Sequence, residues 1–551
     1  MIASLAARLR LSLDASPLRS ASFRLFYLGS IGAALGYTMQ ATIASWLMAT
    51  LTPSALMVAL VQTASTAPTL LFGLIAGSLS DSVDRRKVIL VTQAVMFATV
   101  ALLGVAALGG IIGPASLLAL TFVVGCGFTF YLPAQQASIN EMVTRAELPR
   151  AVALGAVAFN VARAAGPALA GAIAAWVNPG SALLASALSF VVMVAALRRW
   201  KQRERPLPGV PERVLAGVLS GLRYAWHSSA MRALIIRNLS FSLCASAFWA
   251  LLPVIARDLL GLGAGGFGLL SAGFGSGAVL GAWSIPGQLK RRSLNSIVTY
   301  GLLGWTVAIA LIATTRFTPV AVIGACGAGV AWVYVLASLS TGTQTTAPAW
   351  VRARAVSMNL VSTQASLALG SAVWGTLASA TGIRVALAAS AVVMLLLYVL
   401  IRRFHVEMGS EADVLPRVHV PELAIAIQPL PDDGPVLIQV EYRIEPHHRR
   451  AFLRAIAAVG PTRRRSGATS WRVFRDLGDD ERFVERYIIA SWAQYLRQRA
   501  RMTVADSALQ DKAAQFQRAN VPINISRLIG VDAAEALPDA LEGLRPESRG
   551  T

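Results

Sequence analysis

Two long apolar runs flank the charged stretch Gly77-Ser-Leu79-Ser-Asp81-Ser-Val-Asp84-Arg85-Arg86-Lys87. Parts of this stretch, and of later segments, recur 204 residues further along the chain. The matching positions are Gly77 and Gly281, Arg86-Lys87 and Lys290-Arg291, Arg150-Ala151-Val152 and Arg354-Ala355-Val356, Gly166 and Gly370, and Gly171 and Gly375. One offset held across several segments indicates an internal repeat. The sequence therefore predicts two parallel halves of one architecture, with the substrate path between them.

The composition of the 551-residue chain is typical of a membrane protein. Hydrophobic residues make up 55% of it and charged residues 14%, whereas soluble proteins contain about 45–50% and about 25%. The formal net charge is +21, but the arginines lie in short clusters between apolar runs and form no continuous face. This distribution indicates sidedness in a lipid bilayer and no nucleic-acid partner.

Twelve runs are apolar over the length that a helix needs to cross a bilayer, about 20 residues. They are 23–49, 55–79, 87–109, 115–138, 150–177 and 180–198 in the first half, and 231–257, 264–288, 294–314, 317–341, 351–380 and 382–402 in the second. The predicted organisation is an N-terminal tail (1–22), a six-helix half (23–198), a linker (199–230), a second six-helix half (231–403), a second linker (404–434), a soluble domain (435–531) and a flexible tail (532–551).

Positive charge alternates between successive connections. One set carries Arg85, Arg86, Lys87, Arg145, Arg150, the arginines of the 199–230 linker, Lys290, Arg291, Arg292, Arg352 and Arg354. The opposite set carries only Arg257, Asp258, Arg316 and Arg384. Because positive charge stays on the cytoplasmic side, we expect both termini in the cytoplasm of a bacterial-type plasma (inner) membrane.

The opening stretch resembles the loop signature of the major facilitator superfamily, Gly-x-Leu-x-Asp-x-x-Gly-Arg-Arg-Lys, except that Asp84 replaces a glycine. With the repeat, this resemblance covers roughly residues 20–403. Three segments are further similar to the transmembrane secretion effectors, the bacterial branch that includes the enterobactin exporter: Tyr131-Leu-Pro133-Ala134, Glu147-Leu-Pro-Arg150-Ala151 and Asn160-Val-Ala-Arg163-Ala-Ala-Gly166-Pro167. The resemblance implies a secondary active transporter that works by alternating access.

The resemblance also implies that Asp81 and Arg85 belong to a cytoplasmic charge latch that breaks when the halves move. A carboxylate near a helix N-terminus is stabilised by about 0.3–1 kcal/mol, which biases a two-state equilibrium without fixing it. Arg86 lies in the same turn, and Glu141 is an additional candidate partner. The alternative is that these charges only set the topology.

Arg163 is the one charged side chain that the sequence places near the middle of a span. An arginine there costs about 2.5–3.5 kcal/mol, so it must face protein or a water-filled cavity. Asn160 lies one turn earlier on the same face. Two roles of Arg163 stay open. It could contact an anionic or oxygen-rich substrate, or it could be structural and donate to carbonyls of neighbouring helices. Further cavity candidates, with packing as the alternative, are Tyr37, Gln40, Gln62, Tyr131, Asn238, Trp249, Tyr334, Asn359 and Gln364.

Small residues in spans 5 and 11 predict close helix packing. Gly166-Pro167 and Gly171 predict a kink and close approach in span 5, and Gly370 and Gly375 keep the small surface in span 11. The span 5 group resembles, imperfectly, the Gly-Pro signature of drug-exporting antiporters, since Ala162 and Ala170 replace glycines and span 11 has Ser371 at the proline position. This resemblance favours export.

Several chemistries have no support in the sequence. No Asp, Glu or His lies deep in a span, so the coupling ion stays open. A phosphate-binding Gly-x-x-x-x-Gly-Lys-Ser/Thr loop is missing, which argues against ATP hydrolysis. Cys126, Cys244 and Cys326 lie far apart in apolar runs, without metal-ligand spacing. We therefore expect free thiols, no cofactor and no metal.

The C-terminal segment predicts strand, helix, strand, strand, helix and strand, the order of an α+β ferredoxin-like domain. Its strands are expected at 436–444, 470–476, 483–490 and 522–529, with a helix break near Thr503. It looks like the antibiotic-biosynthesis-monooxygenase type, whose domains pair through their sheets, so we expect a homodimer or ligand sensing in preference to catalysis. His447 and His448 are interpreted as a solvated turn, and Arg463-Arg464-Arg465 as a solvated or lipid-facing cluster.

The sequence as a whole predicts an all-α membrane protein with a soluble α+β domain, which is a transporter and not an enzyme. The leading function is export of a small siderophore- or drug-like molecule. Import by the same fold, and a membrane-anchored enzyme that uses the C-terminal domain, are the alternatives.

Overall fold

The computed structural model describes residues 17–143, 147–198, 214–348, 350–415 and 429–531. Twelve long helices occupy the positions of the twelve predicted spans. In the first half they are α1 (Ala21–Leu51), α2 (Ala55–Ser82), α3 (Arg85–Leu108), α4 (Pro114–Met142), α5 (Leu148–Trp176) and α6 (Pro179–Arg198). A shorter helix, α7 (Val214–His227), precedes the second half.

The second half consists of α8 (Ser229–Val254, followed by a π-helical turn at Ile255–Leu259), α9 (Ala264–Arg291), α10 (Leu294–Thr314), α11 (Thr318–Thr346), α12 (Arg352–Thr381) and α13 (Ile383–Ile401). A one-turn helix, α14 (Glu411–Val414), follows it. Within the described residues, nine of the long helices contain an unbroken stretch that is long and apolar enough to cross a membrane.

The three long helices outside that set are α1, α5 and α12. They contain many small and polar residues, which allow helices to pack closely against one another inside a membrane bundle. In α1, for example, 17 of the 31 residues are buried. The lower hydropathy of α1 and α12 is therefore consistent with positions inside the bundle.

Asp84, the departure from the loop signature, has a structural explanation. It is the N-cap of α3, and its carboxylate accepts hydrogen bonds from the backbone N–H groups of Arg86 (2.9 Å) and Lys87 (3.4 Å). Aspartate is among the preferred N-cap residues, since it satisfies N–H groups that have no partner within the helix. The two-residue connection between α2 and α3 is thereby closed.

By internal contacts the chain divides into two compact units. The first contains residues 1–214, 233–342 and 356–407 and holds most of the twelve long helices. The second contains residues 215–232, 343–355 and 408–551. The soluble domain thus shares a unit with α7 and with the connection between α11 and α12.

The soluble domain has the predicted fold. Strands β1 (Val436–Arg443), β2 (Ser470–Arg475), β3 (Arg482–Ile489) and β4 (Asn524–Ile529) form an antiparallel sheet in the order β2-β3-β1-β4. Helix α15 (Arg449–Arg465) follows a 3-10 turn at Pro446–His448. The break near Thr503 is confirmed, since Thr503 caps α17 (Val504–Ala514) after α16 (Trp492–Ala500). One sheet face packs on the helices through Val436, Ile438, Val440 and Tyr442.

Candidate substrate site and gates

In the first half, aromatic side chains from three helices meet around Phe128 of α4. Tyr37 of α1 stacks on Phe128 with ring centroids 3.9 Å apart and 10° between the planes. Phe128 also contacts Tyr131 at 6.0 Å and Phe159 of α5 at 6.5 Å. The Tyr37 hydroxyl donates a 3.5 Å hydrogen bond to the carbonyl of Ser65. Two predicted cavity candidates, Tyr37 and Tyr131, therefore belong to one aromatic cluster.

The second half holds an aromatic cluster of its own. Trp249 of α8 contacts Phe274 of α9 at 4.5 Å and Trp332 of α11 at 5.7 Å, both edge-on. Trp305 of α10 lies 5.9 Å from Trp332 and extends the cluster. Of these rings, only Trp249 was predicted from the sequence as a cavity candidate, because the others are ordinary apolar residues in apolar helices.

Arg163 of α5 lies between the two clusters. Its guanidinium carbon is 5.1 Å from the ring centroid of Phe159 in the first half and 6.0 Å from that of Trp332 in the second. Such cation–π contacts contribute from about 0.5–1 kcal/mol when exposed to about 2 or more when desolvated. Within the described part of the chain, Arg163 makes neither an ion pair nor a hydrogen bond. Its donors are left for another acceptor.

Further polar groups of the bundle are buried without a partner among the described residues. The side-chain amide of Gln40 is 1% exposed and neither its nitrogen nor its oxygen is hydrogen-bonded. The indole N–H of Trp249 is also unpaired, and so is the amide of Gln93, which the sequence did not single out. An unsatisfied buried polar group costs about 1–3 kcal/mol. Water or a bound molecule would remove that cost at each of these groups.

Other predicted candidates make packing bonds inside the second half. The Asn238 amide nitrogen donates to the backbone and side-chain oxygens of Asn359, both at 2.9 Å, and to the Thr363 hydroxyl at 2.8 Å. The hydroxyls of Tyr334 and Ser284 share a hydrogen bond of 3.0 Å. These bonds tie α8 to α12 and α9 to α11. Gln62 and Gln364 are half-buried, and the side chain of Asn160 lies outside the described residues.

The small residues of α5 and α12 contact other helices at repeat-related positions. A Cβ atom on Gly171 would lie 2.8 Å from the Cα atom of Gly268 in α9, and one on Gly375 would meet Ala59 of α2. Both of these approaches join one half to the other. Inside the halves, Gly166 lies against Thr38 of α1, and Gly370 lies against Ser246 of α8. Pro167 lies inside α5, which continues from Leu148 to Trp176.

Hydrogen bonds join the two halves near the connection between α1 and α2. The backbone N–H of Leu56 donates to the Ser379 hydroxyl at 2.8 Å, and Arg257 Nη1 donates to the Thr52 carbonyl at 3.1 Å. Deeper in the bundle, the Thr63 hydroxyl donates to the Ala368 carbonyl at 2.9 Å. These contacts join the two halves at the end of the bundle that contains Thr52.

At the opposite end, Arg85 connects two helices of the first half. Its Nε donates to the Ser80 carbonyl of α2 at 3.0 Å, and its Nη1 donates to the Ala137 carbonyl of α4 at 3.2 Å. The Nε atom of Arg86 is buried without a hydrogen-bond partner among the described residues. The side chains of Asp81 and Glu141 lie outside the described residues, so the latch stays a prediction.

The soluble domain contains a buried ion pair that contradicts one expectation. Arg463 is 8% exposed and donates to both carboxylate oxygens of fully buried Glu485, at 3.0 and 3.3 Å. The Trp471 indole N–H also donates to Glu485, at 2.9 Å. Burial alone lowers the pKa of Arg463, but Tyr487 and Glu485 outweigh it and the net pKa is raised. Arg465 pairs with Asp506 at 2.5 Å. The prediction of a solvated or lipid-facing cluster is therefore wrong for Arg463 and Arg465, which pair with carboxylates of their own domain.

One group of side chains has the spacing of metal ligands. Ligand atoms of Glu445, His447 and His448 lie within 4.8 Å of one another at the start of α15. Both histidines are exposed, and their rings lie 3.9 Å apart. A solvated polar turn, the interpretation favoured by the sequence, has the same arrangement. The prediction that the protein binds no metal stays untested.

Two six-helix halves with repeat-related crossings, and polar groups between them, define a membrane transporter of the major facilitator class. The chain belongs to the transmembrane secretion effector family, whose family model matches residues 13–535. This range includes the soluble domain. Over 427 residues it is 27% identical to the multidrug efflux pump Tap of Mycolicibacterium fortuitum, covering 74% of this chain and 97% of that one. The chain is therefore a multi-pass transporter and not an enzyme.

Solved structures share the fold. A bacterial homologue of the human lysosomal transporter Spinster, in an inward-facing and unoccupied conformation, matches with a TM-score of 0.59 and 15% identity over 71% of this chain and 98% of that chain. The nucleoside transporter NupG matches with a TM-score of 0.54 and 14% identity over 70% and 99%. These likenesses concern the architecture alone.

Proposed function

We propose that this transporter exports a small organic molecule that combines aromatic or apolar surface with hydrogen-bond acceptors, preferably anionic ones. The observation that carries the proposal is Arg163, placed between Phe159 and Trp332 without a described acceptor of its own. The unpaired indole N–H of Trp249, whose ring contacts Trp332, adds a second donor. Donors surrounded by rings complement an acceptor on an aromatic or apolar molecule.

Export is favoured by the similarity to a multidrug efflux pump and by the Gly166-Pro167 pair of α5. The alternation of charge between connections supports cytoplasmic termini in a plasma membrane. In that orientation, the bonds of Leu56 and Arg257 form an outer gate. Asp81, Arg85, Arg86 and Glu141 then lie at the cytoplasmic end, where a latch would control the opposite opening.

Accumulation of radiolabelled or fluorescent probes in cells with and without the chain tests this proposal. The panel contains catecholate siderophores, other anionic aromatic compounds, and neutral antibiotics of similar size. Export predicts lower accumulation on expression, with the largest effect for the anionic aromatic members. Higher accumulation would identify an importer, and equal effects on anionic and neutral probes would contradict the assignment to Arg163.

We also propose that the soluble domain pairs with a second copy through its sheet. Side chains alternate along a strand and cross-strand partners share a face, so Leu437, Phe474 and Leu528 lie on the face opposite the helix-covered core. Phe474 is 43% exposed and Leu528 is 50% exposed. Light scattering of the full chain in detergent should give a dimer mass, and Phe474→Asp should shift it to the monomer. A monomeric wild-type chain would contradict this pairing.

A further inference from the structure

Helix α7, which precedes the second half, has two contrasting faces in its last two turns. Tyr224 and Ala225 are buried, at 2% and 4% exposure. The Tyr224 ring meets Trp350 edge-on at 5.8 Å, and its hydroxyl donates to the Thr346 carbonyl at 3.2 Å. On the other side Leu222 is 55% exposed and Trp226 is 69% exposed, one turn apart. The helix therefore presents an apolar pair away from its own packing contacts.

Three arginines lie close to His227, the last residue of α7. Burial, and then the guanidinium groups of Arg464, Arg223 and Arg232, lower the pKa of His227 below its usual range. In the described parts of the chain, none of these three arginines pairs with a carboxylate. Among the described residues, these three positive charges therefore have no carboxylate partner. Such a concentration of like charge is unfavourable unless an anion approaches it.

The chain itself places α7 at the edge of the bilayer. A single residue, Ser228, separates the end of α7 from α8, the first spanning helix of the second half. Tryptophan is enriched at membrane–water interfaces, and arginine there attracts anionic headgroups. An exposed leucine–tryptophan pair flanked by arginines is also the composition of helices that lie in the interface plane.

We propose that Leu222, Arg223, Trp226, Arg232 and Arg464 form a docking surface for anionic phospholipid of the bilayer. Leu222 and Trp226 enter the boundary between headgroups and acyl chains, and the arginines bind the headgroup phosphates. The proposal uses the membrane class of the protein and does not depend on the direction of transport. The opposite face of α7 contacts Trp350 in the connection between α11 and α12. Lipid binding to α7 would therefore also restrict the movement of that connection.

Native mass spectrometry of the full chain, released from bilayers of equimolar phosphatidylglycerol and phosphatidylcholine, tests the charge component. The wild-type chain should retain phosphatidylglycerol several-fold over phosphatidylcholine. The Arg223→Gln/Arg464→Gln variant should lose most of this preference. The matched control Arg291→Gln/Arg292→Gln, which removes two cations from another connection, should keep it.

Three results would overturn the proposal: equal retention of both lipids by the wild-type chain, unchanged preference in the Arg223→Gln/Arg464→Gln variant, or an equal loss in the control. Displacement of the lipid by an equivalent concentration of glycerol phosphate would also overturn it, since it would indicate a site for soluble anions and not for a bilayer.

A spin label tests the apolar component without touching a charge. The three native cysteines, Cys126, Cys244 and Cys326, are first replaced by alanine. A nitroxide at Trp226→Cys should then collide with oxygen more than with a water-soluble nickel reagent in proteoliposomes. A label at Leu477→Cys, whose side chain is 97% exposed in the soluble domain, should give the reverse. A water-exposed profile at position 226 would contradict insertion.

Discussion

At the scale of single residues, Arg163 combines an ionic group with the contacts of two aromatic clusters from opposite halves. The interior position of Arg163 could be predicted, because it is a single charge within an apolar run. The pairing of its guanidinium with both rings could not be predicted, because Phe159 and Trp332 are 173 residues apart in the sequence. In the proposed function, Arg163 binds the substrate through donors that have no acceptor among the described residues.

The Arg163→Gln variant should transport anionic probes with a KM raised about 10- to 100-fold, because a hydrogen bond to a charged group contributes about 1.5–3 kcal/mol. Arg163→Lys should keep part of the affinity, and neutral probes should change little. Initial rates in proteoliposomes measure this, with Arg316→Gln in a surface connection as the control. Unchanged KM values for every anionic probe would remove Arg163 from the substrate site.

The Glu485→Leu variant should destabilise the soluble domain by about 3–5 kcal/mol, since removing one partner of a buried pair leaves Arg463 charged and uncompensated. Glu481→Gln, which neutralises the 29%-exposed carboxylate that pairs with Arg518, should cost about 0–1 kcal/mol. Peptide-resolved hydrogen exchange over residues 436–529 of the full chain measures both. Equal effects of the two substitutions would show that burial does not set the energy of the Arg463 pair.

At the scale of elements, the N-caps of the helices and the sites where helices cross determine how the spans are arranged. Ser20, Ser54 and Ser293 cap α1, α2 and α10 as Asp84 caps α3. The caps at Ser54, Asp84 and Ser293 end the short connections that keep successive spans adjacent. The crossings, by contrast, depend on which face of each helix turns inward.

Asp84→Ala should lower the stability of the first half by about 1 kcal/mol, because the first N–H groups of α3 lose their acceptor. Asp84→Gly, which restores the glycine of the loop signature, should cost only about a few tenths of a kcal/mol. Thermal unfolding of the purified chain compares them. An equal decrease for both substitutions would mean that the cap does not contribute.

Gly171→Ala should destabilise the contact between α5 and α9 by about 1–3 kcal/mol, because the added methyl group would overlap Gly268. Gly287→Ala in α9 is the matched control, since nothing lies within 4 Å of its added atom. It should stabilise the helix by up to about 1 kcal/mol. Opposite shifts in the unfolding temperature are therefore expected, and shifts of the same sign would contradict the close crossing.

At the scale of the whole membrane unit, the halves are held together at the end that contains Thr52. The bonds of Leu56 and Arg257 there, and the crossing of Gly171 with Gly268, connect helices that belong to different repeats. Alternating access requires such contacts to break and re-form during each cycle.

A disulfide between Leu56→Cys and Ser379→Cys should stop transport, since it would prevent the Thr52 end from opening. The 2.8 Å hydrogen bond from the Leu56 backbone nitrogen to the Ser379 hydroxyl shows that the two residues are direct neighbours across the halves. The variant is made without the native cysteines, and the two single variants are the controls. Transport should fall on oxidation and return with reductant. Equal rates before and after oxidation would show that this gate does not open.

The two repeats, the twelve helices and the order of elements in the soluble domain could all be predicted from the amino-acid sequence. These features follow from local rules: a bilayer forces each span to satisfy its backbone hydrogen bonds within one helix of sufficient length. Alternation of side chains and turn residues likewise set the strands of the sheet. Such signals lie in contiguous stretches of the chain and need no knowledge of distant contacts.

Contacts between residues that are far apart in the sequence could not be predicted in this way and are known only from the folded structure. It brought Trp332 to Arg163, buried Arg463 against Glu485, and placed Asn238 and Tyr334 in packing bonds. The physical reason is that a helix apolar on every side gives no indication of which face turns toward its neighbours. The rotation of each helix is fixed by packing with partners far away in the sequence, and the substrate site depends on those rotations.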